Sequence, residues 1–289
     1  MSGESSNSKS RIVSRVATGI DTKDGAGVKL KRVIGGSIKT LDPFLLLDEF
    51  KSDNAKDYIK GFPSHPHRGQ QTVTIMIEGN MLHEDNKGNK GLLKSGSIQI
   101  MKAARGLIHS EIPQQINGLL FGFQLWINLP KANKMDDPSY QDIQPENIPI
   151  YDKDGIRVRV LAGKYLDIDG AGKDIIGNPL ILDVQLQPGK NFTELIPTGH
   201  TAFAYVFGGK GKFGPKYNST EVGVSQIAIL ETNEERDRIE VESIGEEPTR
   251  FLLIASAPIN EPVAKYGPFV MNTQEEIEQA FDDFHNGRF

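Results

Sequence analysis

His65, His67, His109 and Glu111 stand in two short motifs, His-Pro-His and His-Ser-Glu, each setting two metal-binding side chains at positions i and i+2. Side chains two apart on a β-strand point to the same face, so each motif aims a pair of groups in one direction. If the two strands are neighbours, the four groups converge. Three neutral imidazoles and a carboxylate suit a divalent first-row metal. The chain has six histidines, and half of them lie in these motifs, which favours a metal site over the ordinary fate of strand histidines as surface or hydrogen-bonded core residues. Cysteine is absent, so disulfides, thiolate nucleophiles, zinc fingers and iron-sulfur clusters are excluded, and a metal must be held through nitrogen and oxygen.

The elements that must carry these motifs read as short β-rich runs separated by Gly, Pro, Asn and Asp, an all-β sandwich or barrel pattern. Strands are expected at 72–78, 97–102, 119–127, 157–161, 180–186, 202–207, 226–230 and 250–255. They fall into two groups on either side of a proline-rich, polar stretch containing Pro130, Pro138, Pro145 and Pro149, a composition typical of a linker. The run from Thr72 to Gly79 resembles that from Ala202 to Gly209, which suggests a duplicated β-barrel unit. At the shift this implies, Leu195 and Pro197 stand where His65 and His67 stand in the first half, so one metal per chain is expected. Between the motifs, a hairpin over 72–84 and a turn at Lys87 to Lys90 form a meander that can bring both ligand pairs to one wall. Gly69 and Gly106 flank the motifs, where a missing side chain relieves crowding or permits a positive φ. Pro66 removes a backbone donor, which puts its strand at an edge or end. Thr273 with Glu276 makes a capping box, and Ile277, Ala280, Phe281 and Phe284 form a helical stripe, so a short amphipathic helix packing on a barrel should close the chain.

The 289 residues are 37% hydrophobic and 25% charged, with a formal net charge of -5, which gives no overall attraction to phosphate backbones. Lys210, Lys212 and Lys216 are too sparse a cluster to bind nucleic acid. No apolar run approaches membrane-spanning length. Met1 to Ser10 is polar and reads as a short disordered tail without secretory character. A cytoplasmic protein is expected, nuclear as well in a eukaryote. Among other residues, Arg68 and Arg105 read as neighbours of the metal ligands, anion contacts or solvated side chains. His83 reads as an outer-shell or surface residue, Trp126 as core, and His200 and His285 as structural or exposed.

The segments Phe62-Pro-Ser-His-Pro-His-Arg-Gly69, Thr72-Val-Thr, His83-Glu-Asp85 and Ala104-Arg-Gly-Leu-Ile-His-Ser-Glu111 resemble the pirin family of the cupin superfamily. The likeness continues through Gln124-Leu-Trp-Ile-Asn-Leu-Pro130, Tyr140-Gln-Asp142 and Gly267-Pro-Phe-Val-Met-Asn272. It implies an all-β bicupin: two cupin-type β-barrels packed face to face, with a short C-terminal α-helix. The corresponding divisions are a disordered tail at 1–10, an N-terminal metal-binding barrel at 11–130 and a linker at 131–149. A C-terminal barrel lacking ligands follows at 150–265, then a helical segment at 266–289.

By the same resemblance His65, His67, His109 and Glu111 are the ligands of one divalent metal, iron(II) first, with manganese, nickel, copper or zinc as alternatives. The implied activity is quercetin 2,3-dioxygenase-like ring cleavage of a flavonol-like small aromatic substrate with O2, with Glu111 as the catalytic proton acceptor. The competing expectation is a non-catalytic, metal- or redox-responsive regulator that binds a protein partner, either a transcriptional co-regulator or a modulator of a metabolic enzyme. One departure favours it. Pirins commonly read His-Pro-His-Arg-Gly-Phe-Glu-Thr, whereas this chain has Gln71 where the acidic residue would stand, which removes a charge expected near the metal.

Overall fold

The computed structural model describes residues 9–232 and 235–289. Its strands gather into two compact units, one formed by Ile20–Asn147 with Ile259–Phe289, the other by the chain up to Gly19 with Ile148–Pro258. Each unit repeats one plan, a seven-stranded antiparallel sheet with a four-stranded antiparallel sheet, as the expected duplication requires.

In the first unit the large sheet runs, in spatial order, Ser139–Ile143, Ile98–Lys102, Gln70–Glu78, Leu120–Asn128, Phe44–Ser52, Val28–Ile34 and Ile20–Asp24. The small sheet runs Phe62–His67, Leu107–Pro113, Met81–Asp85 and Lys90–Leu93. Both motif strands are therefore in the small sheet, with the His-Pro-His strand at its edge, where Pro63 and Pro66 cost no ladder bonds. The Leu107–Pro113 strand alternates buried and half-buried residues along its length, burying Leu107, His109, Glu111 and Pro113 on one face. Val28, Leu30, Phe50, Tyr58, Met76 and Leu120 belong to one apolar cluster of this unit.

In the second unit the large sheet joins Val13–Thr18, Gln226–Leu230, Thr201–Gly208, Thr249–Ser256, Leu180–Leu186, Ile156–Ala162 and Ile150–Lys153, and the small one Asn191–Leu195, Arg238–Ile244, Lys210–Phe213 and Thr220–Gly223. Its interior is apolar: Phe192, Phe213 and Phe251 pack edge to face within a cluster that also holds Ile239 and Val241.

Three boundaries differ from the expected ones. Val13–Thr18 pairs with Gln226–Leu230 and so lies in the second unit, not in the first barrel. The stretch expected as a linker, 131–149, supplies the strand Ser139–Ile143, which pairs with Ile98–Lys102, and buries Lys134; its prolines flank the strand rather than interrupt it. Of the tail expected at 1–10, residues 1–8 lie outside those described, while Ser10 is buried and bridges Arg238. The helix forms at Gln274–His285 with the capping box in place, Glu276 N–H donating to the Thr273 hydroxyl at 3.3 Å and Thr273 N–H to the Glu276 carboxylate at 3.1 Å. Its Ile277, Ala280, Phe281 and Phe284 pack with Phe269 and Met271 of the first unit. No helix among the described residues is long and apolar enough to cross a membrane.

The second unit carries its own buried charge cluster. Asp183 is 2% exposed, accepts from Arg250 Nε at 3.0 Å and Nη2 at 2.7 Å, and from Arg159 Nη1 at 2.9 Å. Burial is the largest influence and pushes the carboxyl up, but the hydrogen bonds and charges of Arg250 and Arg159 together outweigh it and hold it below its ordinary value. A carboxyl depressed in the folded state stabilises the fold above its unfolded pKa, about 3.9, and that contribution is lost as pH falls through the folded value. Asp183→Asn, which leaves two arginines without their counter-charge, should cost about 3–5 kcal/mol at pH 7 in urea unfolding, and the gap from the wild type should narrow in acid as Asp183 is protonated.

Candidate metal centre

The two motif strands are antiparallel neighbours, with His65 opposite His109 and His67 opposite Leu107. Against the Phe62–His67 strand the register slips between His109 and Glu111, but against Met81–Asp85 it stays regular and sets Glu111 opposite His83. The three motif imidazoles form a triangle with ring centroids 4.8, 4.4 and 5.1 Å apart. Among the described residues two groups could hold a metal ion, His65 with His67 and His109, and His83 with His109 and Glu111, the ligand atoms of each lying within 4.8 Å of one another. His109 belongs to both, so the expected residues fall into two overlapping groups, His65 and His67 on one side of it and Glu111, with His83, on the other.

The hydrogen bonds decide which nitrogen each ring presents. A carbonyl oxygen can only accept, so His65 Nδ1, 2.8 Å from Pro63 O, carries its proton, as does His67 Nδ1, 3.4 Å from Pro268 O. Gln70 Nε2 lies 2.9 Å from the same nitrogen; exchanging the amide's nitrogen and oxygen lets the oxygen, otherwise buried without a partner, accept from His67 Nδ1 as well. His109 Nδ1 lies 3.3 Å from His83 Nδ1, and one of the two must donate. His83 Nε2 lies 3.8 Å from the Asp85 carboxylate, beyond hydrogen-bond distance, but the nearby negative charge favours the proton on that nitrogen and leaves His83 Nδ1 to accept from His109. All three motif rings then use Nδ1–H outward and keep Nε2 bare, and His109 Nε2 is buried with no hydrogen-bond partner.

His67, His109 and His83 are also biased toward the neutral form that ligates. Burial, reinforced by His65, lowers His67 to about 3; burial, with His67 and His65 next, takes His109 well below its ordinary value; and His83 is lowered by burial as well. Glu111 is 3% exposed and its carboxylate is held from the large sheet: Gln124 Nε2 donates to Oε2 at 3.1 Å, and the Thr74 hydroxyl stands 3.2 Å from Oε1 and 2.7 Å from Gln124 Oε1. Bare imidazole nitrogens beside a fixed carboxylate, each tied from behind, are what a nitrogen-oxygen metal site requires, so the residues present could hold a divalent ion.

A cavity of about 650 Å³ opens onto His65, His67 and Glu111 and is otherwise lined by groups that include Trp126, Phe50 and Phe62. Trp126, expected in the core, is half-buried on its wall, its ring edge-on to His67 with centroids 4.9 Å apart. The strand alternation that makes Leu125 and Ile127 core turns Gln124 and Trp126 to the site. His83 is fully buried, stacked on Tyr140 at 4.8 Å, which leaves the outer-shell reading and removes the surface one. Arg68 is buried, donating to Arg105 O at 2.6 Å and pairing with Asp283 at 2.7 Å, while Arg105 is exposed and pairs with Asp137 at 2.8 Å. Neither lines the cavity.

Gln71 does not bear on the site as the family pattern suggested. Gln70 contacts His67 and Thr74 contacts Glu111, so even-numbered positions of the Gln70–Glu78 strand face the ligands, and Gln71 shares the opposite face with Val73 and Ile75. Thr74, Gln124 and Tyr140 escaped the sequence reading because nothing local marks a threonine, a glutamine or a tyrosine as a neighbour of a ligand. The parity of Thr74 with Gln70 was the available signal.

A seven-plus-four antiparallel unit, present twice, with imidazoles and a carboxylate gathered inside one copy, defines a protein of the duplicated cupin class. The chain belongs to the pirin family: the pirin domain matches residues 27–127 and the pirin C-terminal cupin domain residues 181–289. It is 44% identical to a Pseudomonas aeruginosa protein named for an inferred quercetin 2,3-dioxygenase activity, over 96% of this chain and 97% of that one. It is 41% identical to human pirin, over 93% of this chain and 90% of the relative. A crystal structure of quercetin 2,3-dioxygenase from Acinetobacter baumannii superimposes with a TM-score of 0.86 at 34% identity, covering 96% of this chain and 98% of that one.

His83→Phe should preserve the stack on Tyr140 and the fold but leave His109 Nδ1 without its acceptor. Metal affinity, measured by competition with a chromogenic chelator, should fall about 10–100-fold while the melting temperature of the chelated protein changes little.

Proposed function

We propose that the protein is a metal-dependent dioxygenase of the quercetin 2,3-dioxygenase type, with iron(II) held by His65, His67, His109 and Glu111, acting on a flavonol-like substrate and O2. The observation that carries the reading is the clustering of the three motif imidazoles, their ring centroids 4.4–5.1 Å apart, with His65, His67 and Glu111 on the wall of an open cavity. The names borne by the Pseudomonas relative and the Acinetobacter structure support the same chemistry.

A bound divalent ion supplies Lewis acidity toward an enolic oxygen and a route for electrons to O2. The chain's residues do the rest. Glu111, steadied by Gln124 and close to Thr74, is placed to take the proton of the substrate hydroxyl as its oxygen gains negative charge. Phe50, Phe62, Leu30 and Leu46 give the cavity apolar walls that hold a flat ring system and limit water around the reacting oxygen. Trp126, backed by His67, supplies a rigid side to that slot. His109, tied through His83 toward Asp85, keeps its ring plane and tautomer through the cycle.

The regulator reading drew its support from Gln71 and from the chain's acidic balance, and the parity of the Gln70–Glu78 strand takes the first of these away. No observation of the site favours it.

Protein loaded anaerobically with iron(II), manganese(II), nickel(II) or copper(II), then given quercetin and O2, should consume oxygen with at least one of these metals. Absence of turnover with all four would refute the dioxygenase. Glu111→Gln should lower kcat about 10²–10⁴-fold with metal still bound, because the amide can ligate through oxygen but cannot accept the proton.

A further inference from the structure

The cavity rim carries a charge arrangement that the dioxygenase chemistry does not use. Arg32 donates to both oxygens of Asp48, Nε to Oδ1 at 2.9 Å and Nη2 to Oδ2 at 2.7 Å, and its Nη2 also reaches Asp24 Oδ2 at 2.7 Å. The remaining Asp24 oxygen accepts from Gly25 N–H at 2.7 Å. Every carboxylate oxygen of the rim is thus taken, and the guanidinium is spent on them. The ammonium of Lys265, which also lines the cavity, makes no hydrogen bond or ion pair among the described residues, though Arg32 and Asp48 act on it from a distance; it stands over the Trp126 ring, 5.0 Å from the centroid. A cation over an indole face is held in place by the ring's quadrupole, which makes this charge a fixed feature of the rim. Because the Trp126 ring meets His67 at its other contact, the ammonium stands one indole away from the motif imidazoles.

We propose that Lys265 is a specificity-determining residue that selects planar aromatic oxyanions, with the ring system in the apolar slot and the oxyanion on the lysine, at the end away from the histidines. This rests on the reading of the cavity as the substrate site, and it narrows the substrate class from flat aromatics in general to those carrying a negative charge about one fused ring system away from the reacting oxygen. Apolar walls at Leu30, Phe50 and Phe62 take the rings, and Lys265, whose ammonium has no ion pair while Asp48 and Asp24 are held by Arg32, takes the anion.

Protein loaded with zinc(II), an ion without redox chemistry, tests this by calorimetry with two ligands of the same shape, 2-naphthoate and 2-naphthamide. The carboxylate should bind about tenfold more tightly than the amide. Lys265→Met should bring the two affinities within about threefold of each other and Lys265→Arg should keep the preference, with emission of Trp126, the chain's single tryptophan, changing on binding in every case. Equal affinities in the wild type, or a preference that survives Lys265→Met because the carboxylate sits on the zinc, would overturn the proposal. A protein inactive toward quercetin with every metal yet showing this charge preference would refute the dioxygenase and leave the anion site standing. Turnover without the preference would do the reverse.

Discussion

Three imidazoles and a carboxylate cannot lie inside a β-barrel unless every polar atom not aimed at the centre finds a partner. A buried group without one costs about 1–3 kcal/mol, and here four such groups crowd one another. Each ring's Nδ1 is satisfied from outside the cluster, by Pro63 O, by Pro268 O with Gln70, and by His83, while Gln124 holds the carboxylate. The same bonds that make burial tolerable choose the tautomer, so satisfying the shell and presenting bare Nε2 atoms are one requirement. The polar character of the Gln70–Glu78 and Leu120–Asn128 strands on their inward face follows from it: Gln70, Thr74 and Gln124 stand where an ordinary barrel would put valine or leucine.

The second unit shows what the plan looks like without that requirement. With the same seven and four strands, its Arg238–Ile244 strand buries Ile239, Val241 and Ser243, and Phe192, Phe213 and Phe251 fill the space between the sheets. An apolar interior needs no partners and closes on itself, so stability there comes from packing, and the charged cluster of Asp183 with its two arginines is carried on the large sheet instead. The polar interior of the first unit opens onto a cavity beside an apolar cluster around Phe50, Tyr58 and Met76.

Much of this was legible in the residues. The i, i+2 spacing announced two ligand pairs, the glycine-bounded runs announced strands at Leu180–Leu186 and Gln226–Leu230 to the residue, and Thr273 with Glu276 announced the helix start. What escaped is where burial overrides local pattern. Phe44–Ser52 reads Leu-Leu-Leu-Asp-Glu without alternation because it is central and covered on both faces, its Asp48 buried only because Arg32, sixteen residues earlier, neutralises it. Ser139–Ile143 hid among prolines, and Val13–Thr18 pairs with a strand some two hundred residues later, a partnership no local window contains. Gln71 was placed near the metal from the family's residue pattern, whereas the parity of the strand sends it to the other face.

The ligand strand Phe62–His67 has a weakness that the rest of its unit must answer. It lies at the edge of a four-stranded sheet and contains two prolines, so its ladder bonds run to one side only. The other side is closed by the segment after residue 259: Arg68 bridges Phe269, Val270 N–H donates to Arg68 O at 3.0 Å, and Lys134 Nζ bonds both Gly69 O at 2.8 Å and Val270 O at 2.9 Å. The backbones approach so closely that a Cβ on Gly69 would fall 1.8 Å from Val270 O, at a φ of +82° that already favours glycine. The Arg68 guanidinium, paired with Asp283 of the helix and 4.4 Å from the Phe289 ring centroid, ties the helix to the same turn, and Phe289 fills the space that Gly106 leaves open beside the second motif strand. The clamp is therefore built on both ligand motifs at once, from behind, which lets the front of the His-Pro-His strand face an open cavity without the strand itself being free to move.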